Sequence, residues 1–488
     1  MIDTQTIRGK ILDLAIQGLL TDRGPDDGSG KELVSHIVEC KATGRHGDKK
    51  TPNPASLAPP FSLPDGWAWA QLEDLGADVQ NAFADGPFGS NLKKEHYTTK
   101  RQVRIIQLSN VGVDGWRNSN EKYTTYEHLE TIKRSEVKAG NIVIAKMMPA
   151  GRAIVVPEGV ADAFVLSSDC VKFVPSELLN VRYLCYAINS KWFHDQVMVD
   201  VHGIGRERTS LSNLKRYYIP IPSVSEQQRI VDIIDRVYAT LDTIDVLQAQ
   251  YSDNLVALKA KLIDAAIQGK LTEQLPDDGT AEELYQLVQI ERKHQEKKGT
   301  IKSVELAPDI AESDQPFSIP TNWKWTHLGN VSYIVRGGSP RPIKEYITTR
   351  EDGINWIKIG DVEKGGKYIY STHEKIIPEG ESKSRRVYPG DFLLTNSMSF
   401  GRPYISKIEG CIHDGWLLIH DLTGFDPDYL YYLLSSSYLY GQFTVKASGS
   451  TVDNLNIDKV KAAFIPLPPL AEQKRIAAKL DDVLKIFD

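Results

Sequence analysis

The chain has little of what marks a catalyst, a secreted protein or a membrane protein. Its 488 residues include only four cysteines, Cys40, Cys170, Cys185 and Cys411, with no CxxC pair and no local Cys/His cluster. That spacing argues against a zinc site or a disulfide framework and fits free thiols in a reducing compartment. No apolar run reaches the ~18 residues needed to cross a bilayer. The opening MIDTQTIRGK lacks the apolar core of a secretory signal. No GxxxxGK[ST], HExxH or GxSxG motif is present, nor the [ND]PP[YF] tetrad of an amino-methyltransferase. A large excess of one charge is also missing. Lys+Arg number 58 against 64 Asp+Glu, a net −6, which excludes a uniformly basic nucleic-acid coat but not local basic grooves.

What the sequence does contain is a long internal repeat. Lys10-Ile-Leu-Asp-Leu-Ala-Ile-Gln-Gly-Leu-Leu-Thr21 returns as Lys261-Leu-Ile-Asp-Ala-Ala-Ile-Gln-Gly-Lys-Leu-Thr272. Pro25-Asp-Asp-Gly28 returns as Pro276-Asp-Asp-Gly279, and Phe61-Ser-Leu-Pro-Asp-Gly-Trp67-Ala-Trp69 as Phe317-Ser-Ile-Pro-Thr-Asn-Trp323-Lys-Trp325. Ile219-Pro-Ile-Pro222 with Glu226-Gln-Gln-Arg-Ile230 returns as Ile465-Pro-Leu-Pro468 with Glu472-Gln-Lys-Arg-Ile476. A spacing near 250 residues is far beyond the 20–50 of solenoids and indicates a duplicated domain pair. The middles, roughly 77–205 and 331–450, barely resemble each other. A shared frame therefore carries two different inserts.

The frame reads as helical. Positions 230, 234, 237, 241, 244, 248, 251, 255, 258, 262 and 265 alternate steps of four and three, and only Gln248 among them is polar. This is a heptad seam, the pattern of a left-handed coiled coil, on a helix from about Glu226 to Gln268, ~65 Å long. Ser225 and Gln228 fit a capping box at its start; Ala471 takes the serine's place in the second copy. A lone apolar stripe is unstable in water, so the helix needs a partner. Residues 472–488 copy its start and 1–20 its end. Together they make a split second helix, closing the chain as a pseudo-twofold ring, although nothing in them matches 243–251. Short helices are predicted at 31–42 and 281–298, followed by Pro- and charge-rich linkers, 44–60 and 299–316, expected to be mobile. Each insert has β-branched runs, such as Val103–Leu108, Asn141–Ala145, Ile354–Ile359 and Asp391–Thr395, then a helix near 180–198 or 427–441. Each is read as an α+β domain.

The division predicted is an N-terminal helical frame and linker at 1–64 and a first insert domain at 65–222. A central helix follows at 223–272, then a helix and linker at 273–320, a second insert domain at 321–468 and a C-terminal half-helix at 469–488. Acidity belongs to the frame: each insert is net +1 and the remainder net −8. Basic and amide residues cluster beside glycines and aromatics. In the first insert these are Lys93, Lys94, Gln107, Asn110, Lys146, Arg152, Arg206 and Arg208. In the second they are Arg336, Ser339, Arg341, Lys358, Asn396, Arg402 and Lys446. Arg and Lys suit guanine edges, Asn and Gln suit adenine, and glycine-flanked amides and hydroxyls suit phosphates. Each cluster alone could be an ordinary solvated loop. One nuclease-like pattern competes: Pro25-Asp26 precedes Glu39 and Lys41, and Pro276-Asp277 precedes Glu291 and Lys293. With the aspartates in turns and the ExK residues on helices, these carboxylates would not converge on a metal.

Two variable inserts on a repeated frame with a long heptad helix resemble the DNA-specificity subunit of type I restriction–modification systems. The resemblance rests on Leu-Pro-Asp-Gly-Trp-Ala-Trp (63–69), Ile-Pro-Thr-Asn-Trp-Lys-Trp (319–325), the two Ile-Pro-x-Pro…Glu-Gln-x-Arg-Ile blocks, the Gln-Gly-x-Leu helix ends and Gly-Pro-Phe-Gly-Ser-Asn-Leu-Lys (86–93). It covers essentially the whole chain. It implies two target-recognition domains, each reading one half of a bipartite, asymmetric site in double-stranded DNA, with the helix as spacer ruler. It also implies two methyltransferase subunits docked on the frame and restriction subunits beyond them, in a prokaryotic cytoplasm. S-adenosylmethionine would lie on the methyltransferase partner, and ATP and magnesium on the restriction partner. This chain would then hold no metal, cofactor or catalytic residue. Rival readings are a catalytic nuclease or methyltransferase component, and a coiled-coil scaffold with no DNA role.

Overall fold

In a computed structural model of the chain, the residues described are 1–43, 61–147, 150–199, 208–363, 365–396, 401–444, 455 and 457–487. They form two compact units, Met1–Ala249 and Gln250–Asp488. One unbroken helix, Val224–Ile267, contributes its first half to one unit and its second half to the other.

In the first unit the N-terminal helix Thr4–Ile16 runs antiparallel to the central helix. Arg8 is ion-paired to Asp242 at 2.7 Å and Asp245 at 3.1 Å, and Thr4 donates to Asp245 at 2.6 Å. Leu12, Ala15 and Ile16 share a core with Ile230, Val231 and Ile234. In the second unit the C-terminal helix Leu470–Leu484 shares a core with the far end of the central helix, through Ile476, Ala477, Leu480, Ala266 and Ile267. Between these ends the seam residues Tyr251 and Leu258 are exposed. Tyr251 falls in the segment that neither terminus copies.

Every residue of the repeated Glu-Gln-x-Arg-Ile block has a defined task. Glu226 is buried and accepts from Trp67 Nε1 at 3.0 Å and Thr21 Oγ1 at 3.1 Å. Glu472 accepts from Trp323 Nε1 at 2.8 Å and Thr272 Oγ1 at 3.2 Å. Gln227 accepts from the Asn180 backbone N–H and donates to the Pro222 carbonyl; Gln473 does the same with Asp426 and Pro468. Arg229 grips Asp27 and Arg475 grips Asp278, which gives the PDDG turn its purpose. Ile230 and Ile476 are fully buried. The Ile-Pro-x-Pro strands pair antiparallel with the tryptophan strands, Trp69 opposite Pro220 and Trp325 opposite Pro466. Tyr183 and Tyr429 hydroxyls donate to those proline carbonyls.

The central helix starts two residues earlier than its pattern suggests, and Ser225 is not its cap. Ser223 Oγ accepts from the Glu226 N–H at 3.3 Å, while Ser225 Oγ donates to Asp27. The short helices fall at Gly30–Thr43 and Ala281–Lys298. Linker 44–60 lies outside the described residues. Linker 299–316, expected to be mobile, is tied down: Ile301 is buried, and Ala307 exchanges two 2.9 Å hydrogen bonds with the Asn330 side chain.

The inserts share one topology despite their unlike sequences. The first has a sheet in the order Phe83–Asp85, Cys170–Phe173, Ile142–Ala145, Ala153–Val155. The second has the same order, Ser332–Arg336, Trp416–Asp421, Phe392–Thr395, Pro403–Ser406, extended by Tyr368–Ile369. The second sheet of each contains one parallel pair, Val103–Ile106 with Phe164–Leu166 and Ile354–Ile357 with Gly410–Ile412. The helical regions each break in two, at Val181–Ile188 and Lys191–Val199, and at Pro427–Ser435 and Ser437–Thr444.

The hydrogen bonds from Arg229 hold the Asp27 carboxyl well below its ordinary value, and those from Arg475 lower Asp278. A depressed carboxyl stabilises the fold above its unfolded pKa and loses that contribution as pH falls. Asp27→Asn and Asp278→Asn are each expected to cost about 1–2 kcal/mol at pH 7. They should also flatten the fall in the urea midpoint below about pH 4, which denaturation curves from pH 7 to pH 2 will measure.

Candidate nucleic-acid interface

In an antiparallel sheet the end of one strand lies beside the start of the next, so loops of distant sequence meet at one sheet edge. In the first insert Asp85 pairs with Val171, and Ala145 pairs with Cys170. The loop after Asp85, residues 146–147 and 150–152, and the turn Ser167–Asp169 therefore share one end of the sheet. The parallel pair brings Gln107 to the same end, because the Ser167 N–H donates to the Ile106 carbonyl. The second insert repeats this. Arg336 pairs with Leu417 and Thr395 with Trp416, gathering the loop 337–342, Asn396, residues 401–402, Lys358 and the turn His413–Gly415.

Backbone proximity makes this junction a glycine site in both inserts. A Cβ on Gly86 would lie 1.7 Å from the Ser167 carbonyl oxygen, and one on Gly337 would lie 2.1 Å from that of His413. The Gly86 N–H donates to the Cys170 carbonyl and the Gly337 N–H to that of Trp416. The chain crosses the inter-sheet turn at the same point in each domain.

The sequence-predicted residues separate into surface and scaffold. In the second insert Arg336, Ser339, Arg341 and Asn396 all converge on Asp414. Ser339 Oγ donates to its carboxylate at 2.8 Å and Arg341 at 3.3 Å; Arg336 Nε and Asn396 Nδ2 donate to its carbonyl at 3.2 and 3.4 Å. The Ser339 bond is the main cause of the lowered Asp414 pKa. Arg336, Arg341 and Arg402 are exposed, whereas Asn396 is buried. Lys358 is half-buried and paired to Glu374 at 2.9 Å. Lys446 lies outside the described residues.

In the first insert Lys93 and Lys94 are exposed on the loop after the glycine crossing, and Arg208 is exposed where it bridges Met147. Arg206 lies outside the described residues. Arg152 is half-buried, with its Nε lacking a partner, and burial followed by the nearby Arg117 lowers its pKa. Lys146 is not a free cation: it is buried and ion-paired to Asp85, with its Nζ 5.3 Å from the Phe88 ring. Gln107 Oε1 already accepts from Asn120 and Lys122. Asn110, predicted as a DNA-contacting residue, is wholly buried. Its Oδ1 accepts from the Gln107 N–H, and its Nδ2 donates to the carbonyls of Arg117 and Ser119. Asp361 holds the Lys358 turn in the same way.

Sequence reasoning missed Arg117, Asp414 and Phe88. Arg117 follows an Asp-Gly hairpin turn and Asp414 precedes a glycine, ordinary loop signals. Phe88 sits inside the Gly-Pro-Phe-Gly-Ser-Asn-Leu-Lys stretch, where residue type alone suggests a core aromatic, yet the residue is 64% exposed. The nuclease-like pattern does not assemble. Asp277 sits in a short turn, Glu291 and Lys293 lie on the helix Ala281–Lys298, and among the described residues no group of acids, histidines and cysteines could hold a metal. No helix of the described residues is long and apolar enough to cross a membrane.

This architecture, two α+β inserts of one topology on a repeated helical frame, is that of a protein family. Residues 92–250 and 320–488 each match the type I restriction modification DNA specificity domain, and the chain belongs to that family. It is 23% identical to the type I restriction enzyme EcoEI specificity subunit of Escherichia coli, over 99% of this chain and 89% of that one. To the EcoAI specificity subunit of the same species it is 22% identical, over 98% and 88%. A solved structure described as showing complex assembly and conformational transition of the type I R-M system has a similar fold. Its TM-score is 0.56 at 17% identity, covering 87% of this chain and 92% of that one.

The scaffold role of Asn110 is testable. Asn110→Ala removes three hydrogen bonds around one turn and is expected to cost about 2–4 kcal/mol, read as a lower thermal midpoint. Its effect on DNA binding should vanish at temperatures where the variant is fully folded.

Proposed function

We propose that this chain is the non-catalytic, sequence-reading subunit of a type I restriction–modification complex, and that its two inserts each read one half of a bipartite, asymmetric DNA site. The observation that carries this reading is the equivalence of the two sheet-end clusters. The same strands and the same glycine crossing present different side chains in each domain: Phe88, Arg117 and Arg152 in one; Arg336, Ser339, Arg341 and Arg402 in the other. Two copies of one enzymatic site would keep their chemistry, whereas two readers of different half-sites must differ there.

The helical frame is the docking surface for two methyltransferase subunits, which supply S-adenosylmethionine chemistry; restriction subunits with ATP and magnesium complete the assembly. The acidic frame, net −8 outside the inserts, suits protein partners better than DNA. The heptad register of the central and terminal helices supports an antiparallel coiled coil with pseudo-twofold symmetry, and a stiff helix would keep the half-site spacing constant. Acting as a ruler is the reason for 44 continuous helical residues.

In the reconstituted complex, Arg341→Ala with Arg402→Ala should weaken discrimination at one half-site only, by about 1–3 kcal/mol per lost base contact. Lys93→Ala with Arg152→Ala should weaken the other half only. Binding to duplexes with either half scrambled measures this, and equal losses at both halves would refute the division of labour. Inserting one heptad beside Gln248 should change the preferred spacer and leave both half-site sequences intact. Methylome sequencing of strains carrying the wild-type and lengthened chains reads that directly.

A further inference from the structure

The glycine crossing defines an equivalent position in both inserts. Two residues beyond Gly86 stands Phe88; two beyond Gly337 stands Ser339. Strand register makes the equivalence independent of sequence similarity, since Asp85 opposite Val171 corresponds to Arg336 opposite Leu417. Ser339 is drawn in by its hydrogen bond to Asp414. Phe88 points the other way in chemical character. It is an exposed residue on a loop that packs closely on Ser167 at Gly86, and the Asn91 N–H donates to the Phe88 carbonyl.

Phe88 keeps most of its surface in water, an apolar area that a partner could cover. The Lys146 ammonium, ion-paired to Asp85, lies 5.3 Å from its ring centroid. Lys93 and Lys94 are exposed further along the same loop, and the half-buried Arg152 leads into the strand Ala153–Val155 of the same sheet, so a polyanion drawn to those cations would meet an aromatic face. In a duplex the base faces are already stacked, so the ring reaches one by wedging between base steps or by filling the place of an extruded base. From these facts we infer that Phe88 stacks on a nucleobase of the half-site read by the first insert. The inference rests on the DNA-reading function proposed above and adds the residue and the mode of contact.

The test uses the full chain assembled with its methyltransferase partner and duplexes carrying the bipartite motif, with 2-aminopurine placed in turn at adenine positions in or beside each half-site. Phe88→Ala should weaken binding roughly 5- to 100-fold. It should abolish a 2-aminopurine fluorescence change at one position of one half-site and leave the other half-site unaffected. Phe88→Trp should keep both affinity and fluorescence change, whereas Phe88→Leu, equally apolar but not aromatic, should lose the fluorescence change. If Phe88→Ala binds and discriminates like the parent, or if it weakens assembly with the methyltransferase instead of one half-site, the stacking role is wrong. If the unmutated complex shows no sequence-specific binding at all, the DNA-reading function itself fails, a result distinct from either.

Discussion

Each unit depends on one buried carboxylate. Glu226 and Glu472 sit at the start of a helix, out of solvent, and each ties an indole N–H and a threonine hydroxyl to that helix. A carboxylate in that place is tolerable only while its oxygens are hydrogen-bonded, so the contacts are effectively compulsory. Through them the tryptophan strand, the end of a repeat helix and the helix start acquire one geometry. The neighbouring glutamine carries the restraint into the insert by bonding the backbone at Asn180 or Asp426, where the insert's own helices begin. The start of the insert's helices is thus tied directly to a frame residue.

Within that frame, two unlike sequences have taken up one topology. The inserts keep the same strand order, the same parallel pair and the same glycine crossing, while the groups at the sheet end are exchanged. Asp85 and Lys146 form a buried pair in one domain; the equivalent Arg336 and Asn396 both turn to the Asp414 carbonyl in the other. Such a design separates stability from recognition. The scaffold residues, Asn110 and Asp361 among them, satisfy backbone groups inside turns, and the exposed arginines and Phe88 are left free to differ.

Much of the frame was legible beforehand because its motifs recur. The central helix, the short repeat helices and the pairing of termini with opposite ends of the central helix follow from heptad spacing and duplication. The candidate site was legible only as composition. Residue type identified Arg336, Arg341 and Arg402 as available cations, yet it equally nominated Lys146, Asn110 and Asn396, which the fold buries. An asparagine that reads adenine and one that closes a turn look alike in sequence; only the neighbouring backbone N–H and carbonyl groups tell them apart. Ser225 and Ser223 illustrate the same limit at a helix cap, where two residues decide which hydroxyl faces the free N–H groups.

A chain without metal-ligand clusters, catalytic motifs or strong net charge was left with repetition as its main message, and repetition by itself determined the paired units, the long helix and the division into acidic frame and near-neutral inserts. These are periodic or additive properties, which a linear string carries in full. The tertiary structure alone decided that the two inserts are the same fold, that loops 60 residues apart meet at one sheet edge, and which charges are spent in pairing. Those outcomes depend on strand register and on distances between backbone atoms, as at Gly86 and Gly337, and no pattern of residue types encodes a distance across a sheet.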